Sequence, residues 1–287
     1  MRILAASDLS ARSSRALARS FQLAVDTRAE LKIIHVGATE TLSEARSRLE
    51  AEVDRNRSWA GIDASLTIVP GDPKAEVAGT AARWGADLVV MGSHQPERRR
   101  PGAFAHTLAG DTLQRLGRPV LLAESPVQGS HGTAVVGVDF SIFSRTAIRA
   151  ARRFAPHAML HLVHAYKVPF NSLMLDKSYA QDFAYAERLE FDEFVAEEMA
   201  RQQQRAITDG IPGACIQTHM REGNAGEVLR AMVKETGATL AVVGTHGRTG
   251  IARLLLGSVA TGLVDDPPCD VLVVPMAMAS NQNRDGP

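Results

Sequence analysis

Short continuous apolar runs alternate along this chain with longer stretches of helical periodicity. Residues 2 to 8, RILAASD, read as a buried strand ending on a carboxylate; ARSSRALARSFQLAVDT follows, with Ala16, Leu17, Phe21, Leu23 and Ala24 at helical spacing. LKIIHVG is a second strand, Leu42 to Ala60 a charged amphipathic helix, and Leu66 to Val69 a third strand. The turn Gly71-Asp72-Pro73 launches a helix over Lys74 to Trp84, since proline presets the first helical φ. Asp87 to Gly92 supplies a fourth strand and Pro119 to Ala123 a fifth.

The same programme then restarts. Residues 125 to 132, SPVQGSHG, have the small, turn-forming composition of a linker. AVVGVDFS (134 to 141) matches ILAASDLS and sets Asp139 where Asp8 stood; LHLVHA matches KIIHVG and sets His164 opposite His35. ETGATLAVVGTHG matches ARWGADLVVMGSHQ, and PPCDVLVVP matches LGRPVLLAE. Two copies of a βαβαβαβαβ unit therefore occupy residues 1–127 and 132–278. LAVVG and VLVVP are apolar throughout rather than alternating, which calls for parallel strands covered by helices on both faces. A five-strand unit used twice does not close an eight-stranded barrel. The expected fold class is α/β, as two tandem doubly wound five-stranded parallel-sheet domains.

The chemistry concentrates in Val242 to Ala260, VVGTHGRTGIARLLLGSVA, where an apolar run breaks into glycines and resumes as a helical pattern. Gly244, Gly247 and Gly257 let backbone N–H groups approach an anion with no Cβ in the way, and Ser258 opens the helix SVATGLVDD, whose first N–H groups and dipole favour negative charge. The spacing Gly-x2-Gly-x9-Gly-Ser resembles the signature of the ATP-binding branch of the universal stress protein family, with every position filled. The resemblance extends over both repeats. It implies a Rossmann-like strand order 3-2-1-4-5 in each unit and a ligand crevice at the carboxyl ends of the first and fourth strands, where that order reverses. It further implies ATP as the ligand, with a magnesium or manganese ion held mainly by the triphosphate. Carried over residue by residue, Asp139 sits against the ribose or the cation, Val138 and Phe140 flank base and sugar, and Ala165 offers backbone groups to the adenine edge. Val243, Gly244 and Gly247 face ribose and phosphates with Arg248 and His246 beside them, while Gly257, Ser258, Val259 and Ala260 give N–H groups or a hydroxyl to the phosphates. Family members commonly dimerise through the fifth strand, which implies an intramolecular pairing of Pro119 to Ala123 with Val271 to Val274, and leaves a homodimer as a further arrangement.

The first repeat departs from the motif. Gly92 and His94 match Gly244 and His246, but Gln95 replaces Gly247 and His106-Thr107 stand in place of Gly257-Ser258, after a loop one residue longer. Side chains there crowd a triphosphate, so one nucleotide per chain is expected, in the second unit. Thirty-two basic residues balance thirty-two acidic ones among 287, which removes the electrostatic footprint of a nucleic-acid binder. Cys215 and Cys269 stand far apart with no ligand spacing around them, and no apolar run reaches membrane-spanning length, so a reducing cytoplasm is the expected compartment. His157, His161 and His164 suggest metal spacing, but strand alternation puts His161 and His164 on opposite faces, and no metal site is expected. No catalytic set or lysine after Gly257-Ser258 appears, so the expected role is regulatory, in the stress response, with ATP hydrolysis weak at most. An ATPase or phosphotransferase and a nucleotide-independent interaction module are the competing readings. Gly-x2-Gly on a fourth strand also differs from the dinucleotide fingerprint on a first strand. An insertion unique to the second repeat, residues 166 to 191, holds Tyr166, Tyr179 and Tyr185 with Phe170, Phe183 and Phe191; it is expected to cover the adenine side, to contact another subunit, or to be core for a helix over Phe183 to Thr208.

Overall fold

The computed structural model describes residues 1–93, 110, 117–168, 177–209, 215–245 and 257–275. The first half contributes strands β1 (Arg2–Ser7), β2 (Glu30–Gly37), β3 (Ala64–Pro70), β4 (Leu88–Gly92) and β5 (Val120–Ala123). The second contributes β6 (Thr133–Val138), β7 (Met159–Tyr166), β8 (Ile216–Glu222), β9 (Leu240–Gly244) and β10 (Asp270–Val274). All ten lie in one sheet, in the order β3-β2-β1-β4-β5-β10-β9-β6-β7-β8, which is the order 3-2-1-4-5 followed by its mirror image. Pairing is parallel within each half, and among the described residues the one antiparallel contact joins β5 to β10 with Leu121 opposite Leu272. Both fifth strands are buried along their length. Left apart, each would present an apolar edge with unpaired N–H and C=O groups, and the pairing removes both edges at once.

Helices cover both faces. On one face α1 (Ala11–Thr27) and α2 (Leu42–Ala60) pack with α4 (Ile142–Phe154) and α5 (Lys177–Asp209), and Leu17, Phe21, Leu49, Ile148, Phe154 and Phe191 share one core with Ile3, Ile33 and Val90 of the first half and Val136, Leu162 and Val242 of the second. On the other face α3 (Pro73–Trp84), α6 (Ala225–Thr236) and α7 (Ser258–Asp265) pack through Val77, Ala81, Leu229, Val233 and Leu263. Local chemistry sets the ends. Ser10, Asp72, Ser141 and Asn224 each accept a backbone N–H as the N-cap of α1, α3, α4 and α6, and α2, α3 and α6 stop at Gly61, Gly85 and Gly237 in left-handed conformation. α5 starts six residues before the expected Phe183, since KSYAQDF contains no helix breaker, so Tyr179 joins Phe183 and Tyr185 on the helix.

The halves are also joined by buried charge. Arg19 of α1 donates from Nε to Asp270 Oδ2 at 2.7 Å, and its other arm reaches Gly129 O in the linker at 2.9 Å. Oδ1 of Asp270 accepts the backbone N–H groups of Glu124 and Ser125 at 2.8 and 2.9 Å, while His131 Nε2 stands 3.7 Å from Oδ2. All three side chains are buried. One carboxylate at the start of β10 thus holds a helix of the first half and the chain between the halves.

Candidate functional site

Asp139 sits one residue beyond β6, at the carboxyl end of the sheet, in a turn built by hydrogen bonds with Ser141 and Ser144. Its Oδ1 accepts from the backbone N–H of Ser141 at 3.2 Å, from Ser141 Oγ at 2.6 Å and from Ser144 Oγ, and Ser144 Oγ in turn accepts the Asp139 N–H at 2.9 Å. Ser141 is the N-cap of α4, so the carboxylate does not cap the helix itself but braces the residue that does. Between them Phe140 takes a left-handed conformation, φ 64°. A side chain held there costs on the order of 1–3 kcal/mol and persists where the surroundings fix it. The first half repeats the device with Leu9 at φ 63° and Asp8 accepting from the Ser10 N–H at 3.0 Å. Burial works to raise the Asp8 carboxyl, but hydrogen bonds from Ser10 and Ser13 outweigh it and hold the group below the usual carboxylate range. Asp8 is exposed where Asp139 is half-buried.

β9 lies beside β6 in register, Val136 opposite Val242, which brings Val243 and Gly244 level with Gly137 and Val138, at the start of the Asp139 turn. The chain leaves β9 at Thr245 and returns at Gly257, whose N–H donates to Thr245 O at 2.7 Å. The start of α7 is thereby pinned to the mouth of β9. Gly257 is its N-cap with no side-chain hydrogen bond, Ser258 is exposed, Val259 half-buried and Ala260 buried. Val138, Asp139, Phe140, Val243, Gly244, Gly257, Ser258, Val259 and Ala260 therefore gather at adjoining strand ends; Ala165, half-buried near the end of β7, is one strand away. Gly247, Arg248 and His246 lie outside the described residues, as do His94, Gln95, His106 and Thr107 of the first half. In that half Gly92 has a packing duty: a Cβ there would stand 2.9 Å from the carbonyl carbon of Arg12 in α1.

One group at this site escapes sequence reasoning. His164 on β7 hydrogen-bonds through Nδ1 to Val138 O at 2.9 Å and through Nε2 to Glu187 Oε2 at 2.9 Å, and its ring lies 4.2 Å from that of Phe140, centroid to centroid. His35 makes the matching contact to Ser7 O at 2.9 Å, so the histidine belongs to the repeated scaffold. Glu187 does not, because it comes from α5, which the aromatic insertion feeds. The insertion divides in two ways: Phe191 is core, as is Phe194 just beyond it, whereas Tyr185 is 66% exposed. Phe170 lies outside the described residues.

Fold and site together define a tandem doubly wound α/β protein with its polar loops gathered at the carboxyl ends of the strands. The profile described as "Universal stress protein family" matches residues 1–122 and again 131–275, and the chain belongs to that family. The structure is similar to that of a protein from Pseudomonas aeruginosa UCBPP-PA14 described as a universal stress protein, with TM-score 0.69, 21% identity and 99% and 96% of the two chains covered. In sequence it is 26% identical over 200 residues to "Universal stress protein E" of Escherichia coli K12; the match takes in 66% of this chain and spans 61% of that relative's length. Another universal stress protein, solved in complex with cAMP, aligns with 42% of this chain at 24% identity and TM-score 0.38. Among the described residues no helix is long and apolar enough to cross a membrane.

Proposed function

We propose that this protein binds ATP, one molecule per chain, at the carboxyl ends of β6 and β9, and serves as a nucleotide-dependent stress-response regulator and not as a strong catalyst. The observation that carries the reading is the convergence of the Asp139 turn with the Gly257-Ser258 helix start at adjacent strand ends, where open α/β sheets take their ligands. The residues suit the group. The N-cap of α7 has no side chain to satisfy the first N–H groups of the helix, and Gly257 leaves room for phosphate oxygens to reach them. Val138, Phe140 and the backbone at Ala165 would hold base and sugar, Asp139 the ribose or a phosphate-bound magnesium or manganese ion, and Gly244, Gly247 and Arg248 the phosphates. Slow hydrolysis at most follows from the want of a lysine after Gly257-Ser258 and of a placed base in the motif. Nucleotide released by denaturing the purified protein and identified by mass spectrometry tests the reading. ATP at close to one per chain, lost in Gly257→Val with the circular dichroism unchanged, is the expected result; no nucleotide released and none taken up from millimolar ATP would refute it.

A further inference from the structure

The long helix α5 grips the turn that carries Asp139 without standing in the crevice itself. His164 is the bridge, with Nδ1 2.9 Å from Val138 O and Nε2 2.9 Å from Glu187 Oε2. A carbonyl oxygen only accepts, so Nδ1 carries a hydrogen and donates it. A neutral ring then presents a lone pair at Nε2, facing a carboxylate that also has only lone pairs when ionised. The bond to Glu187 therefore needs one proton more than a neutral imidazole and an ionised carboxylate hold between them. Both side chains are largely shielded, 6% and 15% exposed, which strengthens such a charge-assisted bond. The carbonyl it anchors belongs to the peptide joining Val138 to Asp139, and the N–H of that same peptide donates to Ser144 Oγ at 2.9 Å.

The grip has a second arm. The Phe140 ring, on a left-handed backbone, lies 4.2 Å from the His164 ring and 5.8 Å from those of Phe191 and Phe194 on α5. Arg145 of α4, four residues beyond the Ser141 cap, donates to Glu197 Oε2 at 2.7 Å and stands 4.4 Å from the centre of the Phe194 ring. Val138 and Phe140, the two neighbours of Asp139, are thus both held from α5. In the first half His35 makes the same bond to Ser7 O, but the helix there reaches the turn through Arg48, whose Nη2 donates to Leu9 O at 3.2 Å. Resting on the nucleotide reading above, we propose that Glu187 is a positioning residue of that site: through His164 it sets the Val138–Asp139 peptide, and nucleotide occupancy and the docking of α5 are coupled. The coupling is reciprocal, so what nucleotide gains from a preset turn, α5 gains from bound nucleotide.

Hydrogen exchange of the nucleotide-free full chain, read by mass spectrometry, tests the positioning, and calorimetry with ATP and magnesium tests its consequence. In Glu187→Ala, peptides over residues 138–145 should exchange about tenfold faster and ATP should bind about tenfold more weakly. Glu187→Gln should bring both within about threefold of wild type, because its amide donates to the Nε2 lone pair with no extra proton. Saturating ATP should slow exchange over residues 179–191 in the wild type and not in Glu187→Ala. Alanine is a good helix former, so Glu187→Ala is expected to fold, and circular dichroism checks this; should it unfold, Glu187→Met, with no hydrogen-bonding end, takes its place. Exchange over 138–145 or ATP affinity equal to wild type in the folded variant, or Glu187→Gln as impaired as Glu187→Ala, overturns the proposal. No ATP binding by the wild type would refute the nucleotide reading and the coupling with it, while the exchange comparison would still decide whether Glu187 sets the turn.

Discussion

Replacing Asp270 by alanine should separate the two halves energetically. The side chain is fully buried, bonds Arg19 Nε at 2.7 Å and accepts two backbone N–H groups of the linker at 2.8 and 2.9 Å. Its removal leaves Arg19, 2% exposed, with its bond to Gly129 O but no carboxylate, and orphans the Glu124 and Ser125 N–H groups. Breaking a buried pair from one side costs about 3–5 kcal/mol, and each orphaned donor about 1–3, with overlap between these losses. The expected loss is about 4 kcal/mol or more, a large share of the roughly 5–15 kcal/mol that holds a domain folded. Urea unfolding offers a built-in assay, because both tryptophans, Trp59 and Trp84, lie in the first half. Fluorescence then reports that half while circular dichroism reports both, and the two transitions should coincide in the wild type and part in the variant. Adding Arg19→Leu should recover much of the loss, since an apolar pair leaves no charge unpaired. A cost below about 1 kcal/mol, with coincident transitions, would show that the buried pair does not couple the halves.

Burial, with Arg19's charge behind it, pushes the His131 imidazole down to about 3 from an ordinary 6.5. The unfolded chain therefore binds a proton that the folded chain refuses between those values, so this contribution to stability is complete above pH 6.5 and falls with acid, by about 1.4 kcal/mol per pH unit. Urea midpoints from pH 7 to 4 should show that slope reduced in His131→Gln, and an equal slope in both proteins would count against it. Gly92→Ala should cost about 1–3 kcal/mol, because the new Cβ would meet Arg12 backbone at 2.9 Å, while Gly132→Ala, with nothing within 4 Å of its Cβ position, should stay within about 0.5 kcal/mol. Equal thermal shifts for those two glycine variants would remove the packing explanation for Gly92.

The sequence made the repeat readable because most strands are unbroken apolar runs and four of the helices begin at a side-chain cap. The pairing of the fifth strands was expected from the family resemblance, supported by the apolar edges that VLLA and VLVV would otherwise leave open. What stayed hidden depends on register and tertiary approach. His161 and His219 are 58 residues apart, and only the register of β7 with β8 brings their rings into hydrogen-bonding contact. Arg19 and Asp270 are 251 residues apart and each looks like an ordinary charged position of a helix or a strand start. Glu187 lies in an insertion that the first repeat does not have, so comparing the repeats offers no counterpart for it. Asp8 and Asp139 read as strand-end carboxylates, but their engagement with Ser10 and Ser141 required the left-handed residue between, for which Leu9 and Phe140 carry no sequence mark.

Calorimetric titration of nucleotide-free protein with ATP and magnesium tests the central claim most directly, run in parallel on wild type, Asp139→Ala and Gly257→Val. The account predicts one site per chain in the wild type, with affinity weakened in Asp139→Ala and lost in Gly257→Val. Two equivalent sites, or one site that survives Gly257→Val intact, would contradict it.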